Sequence, residues 1–283
     1  MDTITDVPGI LVGQAEDPEA LTGCTVIICP EGAVAGVDQR GGAPGTRETD
    51  ALHPMHLVDK AHAVVLAGGS AYGLDAASGV MRYLEGQGIG FNVGVAKVPI
   101  VAEAILFDLA IGRADIRPDA EMGYQACLNA SIAPPQQGNY GAGTGATVGK
   151  ILGPSQAMKS GIGTASIDIG GGIIIGAIVA VNAFGDIINP MDQSIIAGAR
   201  SMKQGPVHIG AGDYFADTLQ VMRTFAGKAI MGFAARQNTV IGAVATNCKF
   251  DKQEINKIAQ MAQDGLARAI RPAHTMLDGD TIF

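Results

Sequence analysis

Short apolar runs, rich in β-branched residues, recur along the chain between glycine, proline and polar turn residues. Runs of this length bounded by turn signals predict strands. Pro30 and Gly32 predict a turn that would join two of these strands as a hairpin. The predicted strands cover residues 7–14, 24–29, 33–38, 63–66 and 238–247.

A second pattern, with apolar residues three and four positions apart, predicts helices. It is clearest in residues 252–270, where positions 255, 258, 259, 262, 266, 269 and 270 are apolar. Helices are also predicted at residues 73–87, 119–130 and 193–201. Residues 103–111 fit either a strand or a short helix, and residues 40–46 and 205–218 are predicted loops.

Residues 139–188 are rich in glycine and predict adjacent strands in a flat, closely stacked sheet. The most apolar part, residues 169–184, contains four glycines and is flanked by Asp168 and Asp186. It is too short to span a bilayer and predicts a buried strand or strand pair. Because no repeat or linker interrupts the pattern, we expect one α/β domain over residues 1–283, with sheets and helices in layers.

Composition narrows the possible functions. Hydrophobic residues make up 47% of 283 positions and charged residues 16%, which favours a sizeable core over disorder. The net charge is −8 without a basic cluster, which argues against nucleic-acid binding. The N-terminus lacks a signal-peptide pattern. The four cysteines lack CxxC spacing and predict reduced thiols in a cytoplasmic protein; a Cys24–Cys29 disulfide or a zinc site is a less favoured alternative.

The glycine-rich loop at residues 141–150 does not have the spacing of a nucleotide-binding loop. Thr144 stands where a Walker A motif needs its first glycine, and Ile151 stands where it needs a hydroxyl. Ala146 likewise breaks the dinucleotide-binding pattern. The glycines therefore predict tight packing or close approach to a substrate. Taken alone, Lys150 fits a solvated surface lysine.

Two other candidate sites are weak. Ser70 lies in a strand-to-helix turn, but Tyr72 excludes a GxSxG nucleophile motif. Ser70 fits either a helix N-cap or a group that orients an anion. The five histidines suggest no triad, and each, including His274, is interpreted as a surface or structural residue.

Thr239 lies where a polar turn meets an apolar strand. A threonine hydroxyl needs a neighbouring base to act as a nucleophile, and cleavage of the bond after Asn238 would supply the threonine's own α-amine. Asparagine tolerates the strained turn geometry that such a cleavage needs. A threonine at a strand start also fits ordinary β-propensity, so the local residues leave both interpretations open.

Seven blocks in one order resemble the DmpA-type aminopeptidase family, which includes β-aminopeptidases and endo-type 6-aminohexanoate (nylon) oligomer hydrolases. The resemblance implies an αββα sandwich of the N-terminal nucleophile hydrolase type, similar to ornithine acetyltransferase. It also implies a precursor that cuts itself to expose a nucleophilic Ser or Thr. The blocks are residues 66–91, 98–109, 138–150, 179–186, 238–247, 266–275 and 278–281.

The nylon oligomer hydrolase branch, which cuts between Asn and Thr, is the most similar. The resemblance therefore implies cleavage between Asn238 and Thr239 into chains 1–238 and 239–283. The resemblance implies that Thr239 is the nucleophile and that Asn182 binds the oxyanion. It implies that Lys150 either tunes the pKa of the α-amine or binds the oxyanion, and that Asp278 and Asp280 hold an ammonium group or the lysine. The implied catalytic residues are Thr239, Asn182, Lys150, Asp278 and Asp280.

The substrate-binding residues implied by the resemblance are Phe107, Tyr140 and Gly143. Phe107 stands where relatives carry a tyrosine, so it lacks that hydroxyl donor. Relatives also continue beyond the DGDT block, whereas this chain ends at Phe283. We therefore expect the acidic pair to lie near a nearly free C-terminus, beside a sheet edge that is exposed or covered by a partner subunit.

The sequence leaves three functions in competition. The leading one is a self-processing hydrolase of short peptides or ω-amino amides. The others are acyl transfer of the ornithine acetyltransferase type and a degenerate family member without catalysis. We expect a homo-oligomer of four or more copies, no nucleic-acid or membrane partner, and no metal or organic cofactor.

Overall fold

The computed structural model describes residues 2–204, 207–210, 212, 214–224 and 238–283. Four α-helices occur within these ranges: α1 (Ala76–Gly86), α2 (Ala120–Leu128), α3 (Thr218–Arg223) and α4 (Lys252–Ala269). The strands are β1 (Leu11–Asp17), β2 (Thr22–Val34), β3 (Asp38–Gln39), β4 (Thr46–Arg47), β5 (Lys60–Ala67), β6 (Phe91–Asn92), β7 (Lys97–Val98), β8 (Val101–Ile105), β9 (Thr147–Val148), β10 (Met158–Lys159), β11 (Ile162–Asp168), β12 (Ile174–Asn182), β13 (Asp186–Ile188), β14 (Ile195–Ala197), β15 (Met202–Gln204), β16 (Val207–Ile209), β17 (Thr239–Thr246), β18 (Ile270–Arg271) and β19 (Thr281–Ile282).

Two five-stranded sheets lie face to face in the described part of the chain. The first has the order β1-β2-β5-β8-β4 and the second the order β11-β12-β17-β19-β3. Ile27, Leu66 and Ala104 of the first sheet share one buried core with Ile178, Ile241 and Ala243 of the second. These small and β-branched side chains suit two closely packed sheets.

Helices cover the outer faces of both sheets. Val80 and Leu84 of α1 and Ala126 of α2 pack on the first sheet in a second core. Leu266 of α4 packs on the second sheet with Val240 and Ile282 in a third core. The resulting layers are helix, sheet, sheet and helix, which confirms the α/β sandwich that the resemblance implied.

Helix predictions from apolar spacing are mostly confirmed. Asp119 caps α2 by accepting from Met122 N, and Asp251 starts α4 in a capping box with Glu254. These polar caps mark the helix starts at sequence level. The prediction at residues 193–201 is wrong, because β14 forms there and pairs with β13.

Several strand predictions change at their boundaries. The predicted turn at Pro30 is wrong: β2 runs on to Val34, and a register shift after Ile28 absorbs the irregular segment. Of residues 103–111, the first three form the end of β8 and residues 106–111 lie in a turn and loop, so the strand alternative holds for the first three residues only. The predicted loop at 205–218 contains β16, while residues 205, 206, 211 and 213 lie outside the described ranges.

In the glycine-rich region, β11 and β12 form the predicted adjacent strands. Residues 169–184 are not buried throughout, because Ile169 is exposed and three glycines with positive φ angles form the turn that precedes β12. All four cysteines are free. None of the described helices is long and apolar enough to cross a membrane.

Candidate active site

Thr239 begins β17 and lies opposite Asn182, the last residue of β12. The antiparallel register pairs Asn182 with Thr239 and continues through eight residue pairs. Alternating burial along β12 points Asn182 inward, and both residues are almost fully buried. Ordinary strand pairing thus brings together two polar residues 57 positions apart in the sequence.

The carbonyl of Asn238 is held in a defined position next to the Thr239 hydroxyl. Gly279 N donates to Asn238 O at 2.9 Å, and Thr239 Oγ1 also donates to that oxygen. Asn238 itself is 3% exposed and forms a parallel bridge with Asp278. Its Oδ1 has no hydrogen-bond partner among the described residues. The carbonyl that precedes the threonine is therefore buried and polarised by a backbone N–H.

Lys150 reaches into the same cluster. Its Nζ donates to Asn182 O at 2.8 Å and to Asn182 Oδ1 at 2.7 Å. Asn182 Oδ1 also accepts from Thr147 N at 3.0 Å. Burial lowers the pKa of Lys150 to about 7, although the nearby Asp278 and Asp108 oppose the shift. The interpretation of Lys150 as a solvated lysine is wrong, since its ammonium end is held by buried acceptors.

Asp278 and Asp280 lie on the short turn that leads into β19, and each is 1% exposed. Asp278 accepts from Phe184 N at 3.2 Å and from the backbone N and hydroxyl of Thr275. Burial raises the pKa of Asp278, and the neighbouring Asp280 adds to the shift. The acidic pair is therefore buried and bonded to neighbouring residues, and the expectation that it lies near a nearly free C-terminus is wrong.

The second sheet explains why the acidic pair is buried. β19 lies between β17 and β3, so the residues after the turn are interior to the sheet and Phe283 is buried. Asp280 Oδ1 accepts from Val240 N at 2.8 Å, which ties the carboxylate to the peptide that follows Thr239. The edge strands of this sheet are β11 and β3.

The structure brings only one of the three expected substrate residues into this cluster. Phe107 O accepts from Asn182 Nδ2 at 2.9 Å, so its backbone lies at the site. Tyr140 is 41% exposed, and Gly143 is packed against Gly161 and Ile162. Gly143 N donates to Tyr140 O, and within the described residues no hydrogen bond joins either residue to the Thr239 cluster.

Two residues of the cluster were missed by sequence reasoning. Gly279 is needed because a Cβ there would lie 2.5 Å from Ala43 O and 2.9 Å from Thr239 Oγ1. His274 bonds to Asp280 Oδ2 at 2.8 Å, which agrees with the structural alternative of its interpretation and not with the surface one. Both residues lie inside blocks that carry the resemblance, at 266–275 and 278–281, and this position is the sequence signal that could have identified them.

The cluster joins a hydroxyl, a carbonyl bound by an N–H donor, and a lysine whose pKa is near neutrality. Such a set suits nucleophilic attack on a carbonyl carbon, with the proton accepted nearby and the oxyanion bound by a backbone donor. Within the described ranges, no group of three or more His, Cys, Asp or Glu side chains could hold a metal ion.

The sequence profile described as Peptidase family S58 matches residues 2–283. An "uncharacterized aminopeptidase" of Mycobacterium leprae is 42% identical over 309 residues, covering 100% of this chain and 78% of the relative. A 6-aminohexanoate-oligomer endohydrolase of a Kocuria species is 34% identical over 283 residues, covering 98% of this chain and 73% of the relative.

The fold matches a solved structure as well. The L-aminopeptidase D-Ala-esterase/amidase of Ochrobactrum anthropi, described as a new variant among the Ntn hydrolase fold, aligns with a TM-score of 0.68 at 20% identity. The alignment covers 99% of this chain and 72% of that one. With the family profile and the relatives above, these likenesses show that the chain belongs to peptidase family S58 and is an amide-bond hydrolase.

Proposed function

We propose that the chain is a precursor that cuts itself between Asn238 and Thr239 and then hydrolyses amides with the new N-terminal threonine. The observation that carries this proposal is the bound carbonyl: Asn238 O accepts from Gly279 N while the Thr239 hydroxyl lies against it. In the first step, Thr239 Oγ attacks the Asn238 carbonyl carbon, and Gly279 N–H stabilises the resulting oxyanion.

Self-cleavage needs a base other than the α-amine, because that nitrogen is still part of the peptide bond. Lys150 is the candidate, since a pKa of about 7 leaves a large neutral fraction at neutral pH. Lys150 takes the hydroxyl proton and returns it to the departing nitrogen of Thr239. The C–N bond breaks as the ester between Asn238 and Thr239 Oγ forms, which releases the Thr239 amine. Water then hydrolyses the ester and frees the Asn238 carboxylate and the Thr239 hydroxyl.

In the mature enzyme the α-amine of Thr239 becomes the base for its own hydroxyl. Asp280 and Asp278 lie on the turn that bridges to Asn238, and Asp280 Oδ1 accepts from Val240 N, so the pair positions the new N-terminal residue through its backbone. Asn182 Oδ1 accepts from Lys150 and its Nδ2 donates to Phe107 O, so Asn182 positions the lysine and the backbone of Phe107 at the site. In its protonated form, Lys150 lowers the pKa of the Thr239 amine by placing a positive charge beside it.

The substrate class we propose is short peptides or ω-amino amides. Support comes from the relatives, among which are aminopeptidases and 6-aminohexanoate-oligomer endohydrolases. Since Asp278 and Asp280 are buried and bonded to protein donors, a substrate ammonium group must be recognised elsewhere. We propose that Phe107, whose backbone oxygen lies at the cluster, contacts the acyl chain.

The test compares Thr239→Ala and Thr239→Ser with Thr246→Ala, a matched control at the far end of β17. Thr239→Ala should remain a single chain and release no amine from an alanyl anilide or an aminohexanoate oligomer. Thr239→Ser should cleave and hydrolyse, because serine keeps a hydroxyl, and Thr246→Ala should behave as wild type. Processing or amine release by Thr239→Ala would contradict the proposal, and acetyl exchange with ornithine would favour acyl transfer instead.

A further inference from the structure

His274 is bonded to the nucleophile strand through a single intermediate, the Asp280 carboxylate. Its backbone N donates to Asp280 Oδ2 at 3.1 Å and its ring Nδ1 lies 2.8 Å from the same oxygen. The other oxygen, Oδ1, accepts from Val240 N at 2.8 Å. A short chain of hydrogen bonds therefore runs from the imidazole to the peptide that joins Thr239 to Val240.

The far side of the ring also faces an acceptor. Nε2 lies 3.4 Å from the main-chain carbonyl of Gln263 in α4. Because both ring nitrogens face oxygen atoms, an imidazolium satisfies both contacts and a neutral ring satisfies one. His274 is 21% exposed, so a proton can reach it from solvent, whereas Asp280 is 1% exposed.

The charged groups around His274 come from three elements. Asp280 and Asp278 face it from the turn before β19, and both raise the pKa of the imidazole, with the Asp280 hydrogen bond as the largest cause. On the solvent side, Arg268 at the end of α4 and Arg271 of β18 line the same surface cavity as His274. Partial burial opposes the rise in pKa.

The backbone of His274 is held in an unusual conformation. Its φ angle is +54°, in the left-handed region that only a few per cent of residues other than glycine adopt. The fold maintains this conformation at a residue whose ring and backbone N both contact one carboxylate oxygen. A residue that only filled space would need neither the ring bond nor the strained backbone.

We propose that His274 is a positioning residue of the reaction: as an imidazolium between Asp280 and the end of α4, it holds the Asp280 carboxylate against Val240 N and thereby fixes the peptide that carries Thr239. This inference rests on the proposed function, because it concerns the same nucleophile. His274 touches neither substrate nor the reacting atoms in this arrangement and acts only through Asp280.

The experiment uses three variants of the full chain: His274→Asn, His274→Gly and, as a control, His53→Asn at an exposed histidine. Asparagine tolerates a positive φ and places an amide N–H close to the position of Nδ1, but it cannot ionise. Glycine relieves the backbone strain and removes the ring. Thermal unfolding of each variant establishes that it is folded before kinetics are compared.

We expect His274→Gly to lose at least tenfold in kcat at pH 7 with KM within about twofold of wild type. His274→Asn should recover part of that loss, because its neutral amide N–H can donate to Asp280 Oδ2 without supplying the positive charge, and a purely structural role of the ring would not produce this recovery. Wild type should also lose activity above the pKa of His274 on the alkaline side, and His274→Asn should lack that descending limb. His53→Asn should match wild type throughout.

If the wild type is active, any of three outcomes contradicts the role of His274 and leaves the proposed function standing. These are a normal kcat in His274→Gly, a loss in His274→Asn as large as in His274→Gly, or superimposable pH profiles of His274→Asn and wild type. A wild type that neither cleaves itself nor releases amine would overturn the proposed function first, and the His274 role with it.

Discussion

The pH dependence of self-cleavage tests the role of Lys150 in the precursor. A base with a pKa of about 7 is neutral in about 9% of molecules at pH 6, half at pH 7 and about 90% at pH 8. The rate constant should therefore rise about tenfold from pH 6 to pH 8 and then level off. A lysine with the ordinary value of 10.5 would give a rise of about a hundredfold over the same range, continuing through pH 9.

The perturbation is Lys150→Arg, which keeps the positive charge but cannot release its proton. Loss of a general base commonly slows a reaction by about 10²–10⁴-fold, so we expect a loss in that range at pH 8. Lys159→Arg is the matched control, because Lys159 is also partly buried and donates to two main-chain carbonyls, at 2.6 and 3.1 Å. It should cleave at close to the wild-type rate.

For the assay, chain recovered in denaturant before cleavage is refolded by dilution at pH 6 to 9. Samples are quenched in acid, and the fraction cleaved is followed by intact mass. A wild-type rate that still climbs tenfold per unit through pH 9, or a Lys150→Arg chain that cleaves within threefold of wild type, would refute the reasoning.

Three further predictions concern packing and burial. Burial raises the pKa of Glu103 well above 4.5, so the folded protein binds a proton more tightly than the unfolded chain does. The free energy of unfolding of the wild type should therefore fall as pH rises above about 4.5, by up to about 1.4 kcal/mol per pH unit. Urea titrations of Glu103→Gln should lack this component. Thermal unfolding should show that Gly79→Ala destabilises the protein, because the new Cβ would overlap a carbonyl of α2. Gly265→Ala, in the helix α4 with open space around it, should stabilise the protein by up to about 1 kcal/mol. Gly279→Ala should slow self-cleavage at least tenfold, measured by gel, since its Cβ would displace the Thr239 hydroxyl; normal cleavage would contradict the geometry.

Local pattern was sufficient for elements whose periodicity and caps agree. The helix at 252–270 and the strand at 238–247 are confirmed as α4 and β17 within a few residues, because apolar spacing and turn residues point the same way. It failed at residues 193–201, where pairing with β13 outweighs the helical spacing. At Pro30 it failed because a register shift lets one long strand pass through a residue that normally ends a strand.

The site could be predicted only in part, since its members meet through tertiary contacts. Nothing local to Lys150 indicates that its amine reaches Asn182, 32 residues further on. The resemblance supplied the roles of Thr239 and its neighbours, and the structure brings these residues together. The resemblance could not identify Gly279 N as the donor to Asn238 O, because a backbone N–H is present in almost every residue and leaves no signal in the sequence.

The most direct test of the central claim is the mass of the purified wild-type chain under denaturing conditions, followed by N-terminal sequencing of the smaller species. The account predicts two chains, residues 1–238 and the 45 residues 239–283, with Thr239 as the first residue of the second. An intact 283-residue chain after long incubation at pH 8, or a cut at any other bond, would contradict it.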